Sequence, residues 1–196
     1  PASDSTPAPS AWSNPFEDVK NSDWFYDDVA FAHKNGLFAG VSASVFGPGA
    51  PITRGMFVTV LGRLYGADVN SYAANSFSDV QASRYYAPYI EWAKESGITS
   101  GVGDNKFAPD AAITRQDLAA LLLRYAEYAN KQFPVTRQFV TFADDAQIAG
   151  YAKNAVQTLY NGGIISGKPN DLFDPEGEAT RAEVAAMLHR FIEAAK

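Results

Sequence analysis

The chain has 196 residues, 46% apolar and 19% charged, a globular composition rather than that of a disordered segment. A net charge of −6 disfavours nucleic acid and acidic membranes as partners, so any bound anion must be held by local positive charge. Cysteine is absent, which excludes disulfides and thiolate metal sites, and no apolar run approaches the roughly 18 residues needed for membrane insertion.

Residues 1–15, PASDSTPAPSAWSNP, are rich in Pro, Ser and Ala and read as a flexible linker. With a linker at its edge and neither Met nor signal peptide at its start, the chain is expected to be a module of a longer protein, placed towards the C-terminal end. Three copies of one unit follow, over 16–70, 71–135 and 136–196. They open FEDVKNSDWF, FSDVQASRYY and FADDAQIAGY, and close PITRGMF, AITRQDL and EATRAEV. Trp24 to Arg54, Tyr85 to Arg115 and Tyr151 to Arg181 share one offset. Phe46-x-Pro48, Phe107-x-Pro109 and Phe173-x-Pro175 fall in register inside it.

Each copy reads as helix, Gly-rich loop, helix. The first helix is short, carried by Val29/Ala32, Ile90/Ala93 and Val156/Leu159, and stops at Gly36, Gly97 or Gly163, where a left-handed cap is expected. The second carries an apolar stripe at helical spacing: Phe57, Val60, Leu61 and Leu64 in the first copy, with matching stripes in the others. One-sided helices cannot bury that stripe alone, so the copies are expected to pack as one all-α, pseudo-threefold assembly and one cooperative unit.

Thr53, Thr114 and Thr180 stand at the N-cap of the second helix. Thr114-x-x-Asp117 and Thr180-x-x-Glu183 read as capping boxes, while Met56 leaves the first copy without its acid. Arg54, Arg115 and Arg181 follow, where a cation opposes the helix macrodipole at a cost of about 0.3–1 kcal/mol. In one reading, guanidinium and free helix N–H groups converge on an anion. In the other, each Arg pairs with the acid of a copy's opening, Asp18, Asp79 or Asp144. Trp24, Tyr85 and Tyr151 are either platforms for a sugar ring or core anchors. Gly40, Gly101 and Gly167 either admit a ligand close to the backbone or only make a turn. Ser100 and Ser166 are candidate donors beside two of them, where the first copy has Ala39.

Enzyme signatures are missing: His33 and His189 stand in different copies without a nucleophile motif and read as surface or packing residues. There is no Walker loop and no zinc or complete calcium spacing, so no enzyme, cofactor or metal site is expected.

The order F-x-D-V, W/Y-x-x-x-x-V/I, G-I-x-S-G, F-x-P and I-T-R-x-E, over residues 16–195, resembles S-layer homology repeats in three tandem copies. The resemblance implies a pseudo-threefold spindle around a central three-helix bundle, with ligand grooves between neighbouring repeats. It implies anchoring to the cell wall of a Gram-positive-type bacterium, by binding secondary cell-wall polysaccharide that ends in pyruvylated N-acetylmannosamine. By position, Arg54, Arg115 and Arg181 would hold the carboxylate, Asp18, Asp79 and Asp144 would bond sugar hydroxyls or orient Arg, and the three aromatics would pack on the ring. Met56, Ala39 and the altered opening Phe142-Ala143-Asp144-Asp145 imply unequal grooves, one or two carrying most of the affinity. The alternative expectation is self-assembly with other S-layer subunits.

Overall fold

The computed structural model describes residues 12–72 and 76–195. The linker expectation for residues 1–11 lies outside them. Residues 12–15 are not linker: the Trp12 ring meets Tyr26 edge-on at 5.4 Å and its Nε1 donates to His33 Nδ1 at 3.3 Å.

The first helices are α1 (Tyr26–Lys34), α3 (Ala87–Glu95) and α5 (Gly150–Asn161); the second are α2 (Arg54–Tyr65), α4 (Arg115–Tyr128) and α6 (Arg181–Ala194). Single 3-10 turns stand at Val69–Ser71, Asp145–Gln147 and Pro169–Asp171. Only isolated bridges, and no strand, occur among the described residues. Each first helix ends before a glycine at positive φ, 66° at Gly36, as a left-handed cap requires. Each second helix starts from an extended Thr whose hydroxyl accepts the amide three residues on, at 3.2–3.3 Å.

The capping boxes are unequal. In α6, Glu183 returns a bond from its Oε2 to the Thr180 amide at 2.9 Å, completing the box. Asp117 does not return to Thr114, contrary to the sequence expectation, because its carboxylate is drawn to Arg54 and Tyr151. Met56 leaves α2 with no acid at that position.

The repeats interlock in a ring. Immediately before each second helix, Ile52 N donates to Ala179 O (3.0 Å), Ala179 N to Ile113 O (3.1 Å) and Ile113 N to Ile52 O (2.9 Å), which closes a three-membered circuit of fully buried residues. The first amide of each helix then donates to the next repeat: Arg54 N to Ala111 O, Arg115 N to Gly177 O and Arg181 N to Ala50 O, all at 2.9 Å. The second does likewise, to Pro109 O, Pro175 O and Pro48 O. With the third amide on Thr, the N–H groups expected to be free for an anion are already satisfied, since a buried helix start cannot leave its donors orphaned.

The same rotation governs the helices. Each first helix packs on the second helix of the preceding repeat: α3 on α2, α5 on α4, α1 on α6. On α2, a Cβ at Gly62 would stand 2.4 Å from Tyr89 Cδ1, so glycine is what admits α3 so closely. Between α1 and α6, His189 stacks on Phe31 at 4.0 Å and meets Asp28 Oδ1 at 2.8 Å. Both histidines are therefore packing residues. One apolar cluster runs through all three repeats. It includes the pairs Phe16–Phe46, Phe77–Phe107 and Phe142–Phe173, with ring centroids 5.4–5.6 Å apart.

Because no repeat satisfies its own helix start, heat or urea is expected to unfold the chain in one transition, with circular dichroism and tryptophan fluorescence coinciding. Resolved transitions would show independent repeats. Met56→Glu, by completing the α2 cap, is expected to raise stability by about 0.3–1 kcal/mol in urea denaturation; a loss would contradict the capping account.

Candidate functional site

The opening acids lie beneath the F-x-P turns, where of the two roles expected for them the structure displays the positioning one: they hold the turns that meet the arginines. Asp18 accepts the Phe46 and Gly47 amides (2.8 and 2.7 Å), Asp79 those of Phe107 and Ala108 (2.9 and 2.8 Å), and Asp144 those of Phe173 and Asp174 (2.8 and 2.7 Å). Each clamps its turn with both carboxylate oxygens. None makes an ion pair with a helix-start Arg among the described residues, so the expectation of a direct Arg–Asp pair fails.

The turns so held present carbonyls to the arginines. Arg54 Nε donates to Phe107 O (2.9 Å), Arg115 Nε to Phe173 O (2.7 Å) and Arg181 Nε to Phe46 O (2.8 Å), with each guanidinium over the same Phe ring at 4.7–5.1 Å. All three side chains are buried, at 6% exposure. Burial lowers each guanidinium pKa below its ordinary value; Asp117 offsets this at Arg54 and Glu183 at Arg115, whereas at Arg181 the opposing charges are Asp18 and Tyr85. The ion pairs run between repeats: Arg54 Nη1 to Asp117 Oδ2 at 2.6 Å, and Arg115 Nη1 to Glu183 Oε1 at 3.5 Å. Where Arg181 would find its acid, the chain has Met56.

Each Arg closes the end of a groove built from all three repeats. Arg54 lies with the Ser100–Gly101 loop and α4 of the second repeat, and with Tyr151 of the third, in a cavity of about 480 Å³. Arg115 lies with Ser166, Gly167 and α6 of the third repeat, and with Trp24 of the first, in about 200 Å³. Arg181 lies with Ala39, Gly40 and α2 of the first repeat, and with Tyr85 of the second, in about 260 Å³.

Trp24, Tyr85 and Tyr151 are 64%, 51% and 55% exposed, so they rim the grooves and do not anchor the core. Trp24 and Tyr85 stand just before their helices, whereas Tyr151 lies in the first turn of α5. The Tyr151 hydroxyl donates to Asp117 Oδ1 at 2.5 Å, and partial burial followed by that carboxylate raises its pKa well above the ordinary tyrosine value. Gly40 and Gly101 line the grooves but are required by the protein itself. A Cβ there would lie 2.3 Å from Ser42 O, or 2.4 Å from Lys106 O, and within 2.7 Å of the Phe beneath. Gly167 is set the same way against Phe142. The Ser166 and Ala39 carbonyls accept Arg115 Nη2 and Arg181 Nη2, at 3.0 and 2.6 Å.

A second arginine in each groove escapes the sequence reading. Arg63, Arg124 and Arg190 line the three grooves from α2, α4 and α6. Each follows its helix-start Arg at the same spacing, and that repetition was the available signal.

The S-layer homology domain profile matches residues 15–55, 76–119 and 141–185. An amylopullulanase of Thermoanaerobacterium thermosulfurigenes is 33% identical over 178 residues, 91% of this chain and 9% of that protein. A cellulosome-anchoring protein of Acetivibrio thermocellus is 30% identical over 183 residues, 91% of this chain and 39% of that protein. An S-layer protein of Bacillus thuringiensis subsp. finitimus is 27% identical over 173 residues, 88% of this chain and 21% of that protein. The chain thus spans well under half the length of these relatives, and an enzyme-named one matches over this stretch alone. It belongs to the S-layer homology domain family, a class of non-catalytic modules that hold proteins at the cell surface.

Asp144→Ala orphans two turn amides and is expected to cost about 2–4 kcal/mol in chemical denaturation. A cost under about 0.5 kcal/mol would remove the carboxylate from the scaffold.

Proposed function

We propose that this module fixes its parent protein to a Gram-positive-type cell wall by binding an anionic secondary cell-wall polysaccharide in the inter-repeat grooves. The recognised group is a terminal sugar bearing a carboxylate, for which the family resemblance suggests pyruvylated N-acetylmannosamine. The carboxylate meets the arginines, the apolar face of the ring lies on Trp24, Tyr85 or Tyr151, and the loops beside Ser100 and Ser166 face the sugar hydroxyls. The observation supporting this reading is the threefold recurrence of one groove: buried Arg at its end, a second Arg along its helix, exposed aromatic at its rim. Cavities of this size suit a sugar end rather than an extended chain.

The local cationic pairs also answer the charge problem. A protein of net charge −6 repels a polyanion at long range, but two guanidinium groups at one partly desolvated groove act at contact distance. Several grooves on one module would add avidity along a wall that presents many chain ends.

Calorimetry with purified wall polysaccharide tests the proposal. Removing the pyruvyl groups is expected to weaken binding by at least about tenfold, the loss of one charge-assisted contact; equal affinity for both forms would overturn the carboxylate mechanism. Because the helix-start arginines also hold the fold, the matching variant is Arg63→Ala/Arg124→Ala/Arg190→Ala. It should lose wall binding with its circular dichroism unchanged.

A further inference from the structure

At the C-terminal ends of α2 and α4, the first and second repeats meet through a pair of phenol rings that line none of the three grooves. Tyr65 is the last residue of α2 and Tyr128 the last of α4. Their ring centroids stand 4.9 Å apart at an interplanar angle of 47°. Beneath both lies the fully buried Trp92 of α3, at 5.7 Å from Tyr65 and 5.9 Å from Tyr128. A rigid floor of this kind holds the two rings in one arrangement. Their outer faces remain open to water, at 45% and 39% exposure.

No other tyrosines combine contact with access. Of the ten in the chain, one further pair shares a ring contact among the described residues, Tyr85 with Tyr86. There Tyr86 is buried and its hydroxyl donates to Asp110 Oδ1 at 3.2 Å. Tyr151 is more exposed than either member of the pair, yet its hydroxyl is held by Asp117 and no tyrosine ring touches it.

The chemistry of the two hydroxyls fits the same picture. Interaction with Ser96, and then with Tyr65, lowers the Tyr128 pKa below the ordinary tyrosine value, while the hydroxyl of Tyr128 raises that of Tyr65. A phenol that ionises easily also gives up an electron easily. Neighbouring hydroxyls bring together the ring carbons beside them, and those are the carbons at which phenoxyl radicals couple.

We propose that Tyr65 and Tyr128 form an oxidative modification site, where a peroxidase-type oxidant using hydrogen peroxide joins them as dityrosine and locks the first repeat to the second. Each phenol loses one electron and its hydroxyl proton, giving two phenoxyl radicals. The radicals form one Cε–Cε bond, and the two displaced ring hydrogens return to the oxygens as the rings regain aromaticity. Peroxide takes up the two electrons and two protons and leaves as two waters. Coupling within the chain outruns coupling between chains because the rings are already in contact. The new bond also restricts the unfolded chain, so it strengthens the seam between the repeats.

The test treats the intact chain, in dilute solution, with a haem peroxidase and hydrogen peroxide. The expected product is a monomer lighter by two hydrogen atoms, with dityrosine fluorescence and a peptide map that joins Tyr65 to Tyr128. Its yield per chain is expected not to depend on protein concentration, and its urea midpoint to lie above that of the untreated protein. Tyr65→Phe and Tyr128→Phe, which keep the ring contact, should each abolish the product with circular dichroism unchanged. An absence of dityrosine, cross-links only between chains, or a map to other tyrosines such as Tyr85 would overturn the assignment. So would dityrosine that persists in either variant, and a lowered urea midpoint would overturn the strengthening of the seam.

Discussion

A helix cannot satisfy its own first amides, and in this protein every second helix hands that task to the next repeat. The first two amides of α2, α4 and α6 donate to carbonyls around the next repeat's F-x-P turn, while the residue before each cap joins a buried three-membered hydrogen-bond circuit. The helix-start bonds run first to second, second to third and third to first, while the buried circuit donates in the opposite sense. A short antiparallel helix pair, too small to bury its own apolar stripe, becomes a closed assembly by this rotation.

The rotation also explains the cations at the positive end of three helices. Each Arg side chain crosses to the same turn that its amide reaches, finding a carbonyl for Nε and a Phe ring beneath. A charge-assisted bond of about 1.5–3 kcal/mol outweighs a macrodipole cost of about 0.3–1 kcal/mol. The arginines are thus stitches before they are ligands. Their remaining N–H groups open onto grooves that no single repeat, and no pair of repeats, contains in full. Scaffold and site share side chains, which is why Arg63, Arg124 and Arg190, none of them buried, are better probes of binding than the residues at the helix starts.

Much of this was legible in the sequence, because repetition amplifies local rules. Thr caps, glycine stops and apolar stripes recur three times in register, and the all-α pseudo-threefold fold follows from them. Partnerships between repeats were not legible. Asp18 and Asp79 keep one offset from their F-x-P turns and Asp144 stands one residue further away, but spacing alone cannot tell a carboxylate facing a ligand from one turned under a loop onto two amides. Whether Trp24, Tyr85 and Tyr151 were core or rim depended on the neighbouring repeat, and their exposure decides it. Arg63, Arg124 and Arg190 were overlooked because a charged residue on an exposed helix face ordinarily means only solvation. The Asp117 capping box failed for a related reason: a buried guanidinium from another repeat competes better for that carboxylate than a local amide does.

Native-state amide hydrogen exchange tests the central claim most directly. If the circuit closes the three repeats into one unit, the Ile52, Ile113 and Ala179 amides exchange only through global unfolding, with one common opening free energy equal to the stability measured in denaturant. An opening free energy for any one of them that is lower by more than about 1 kcal/mol would mean that its repeat detaches alone, and would contradict the closed ring on which the grooves depend.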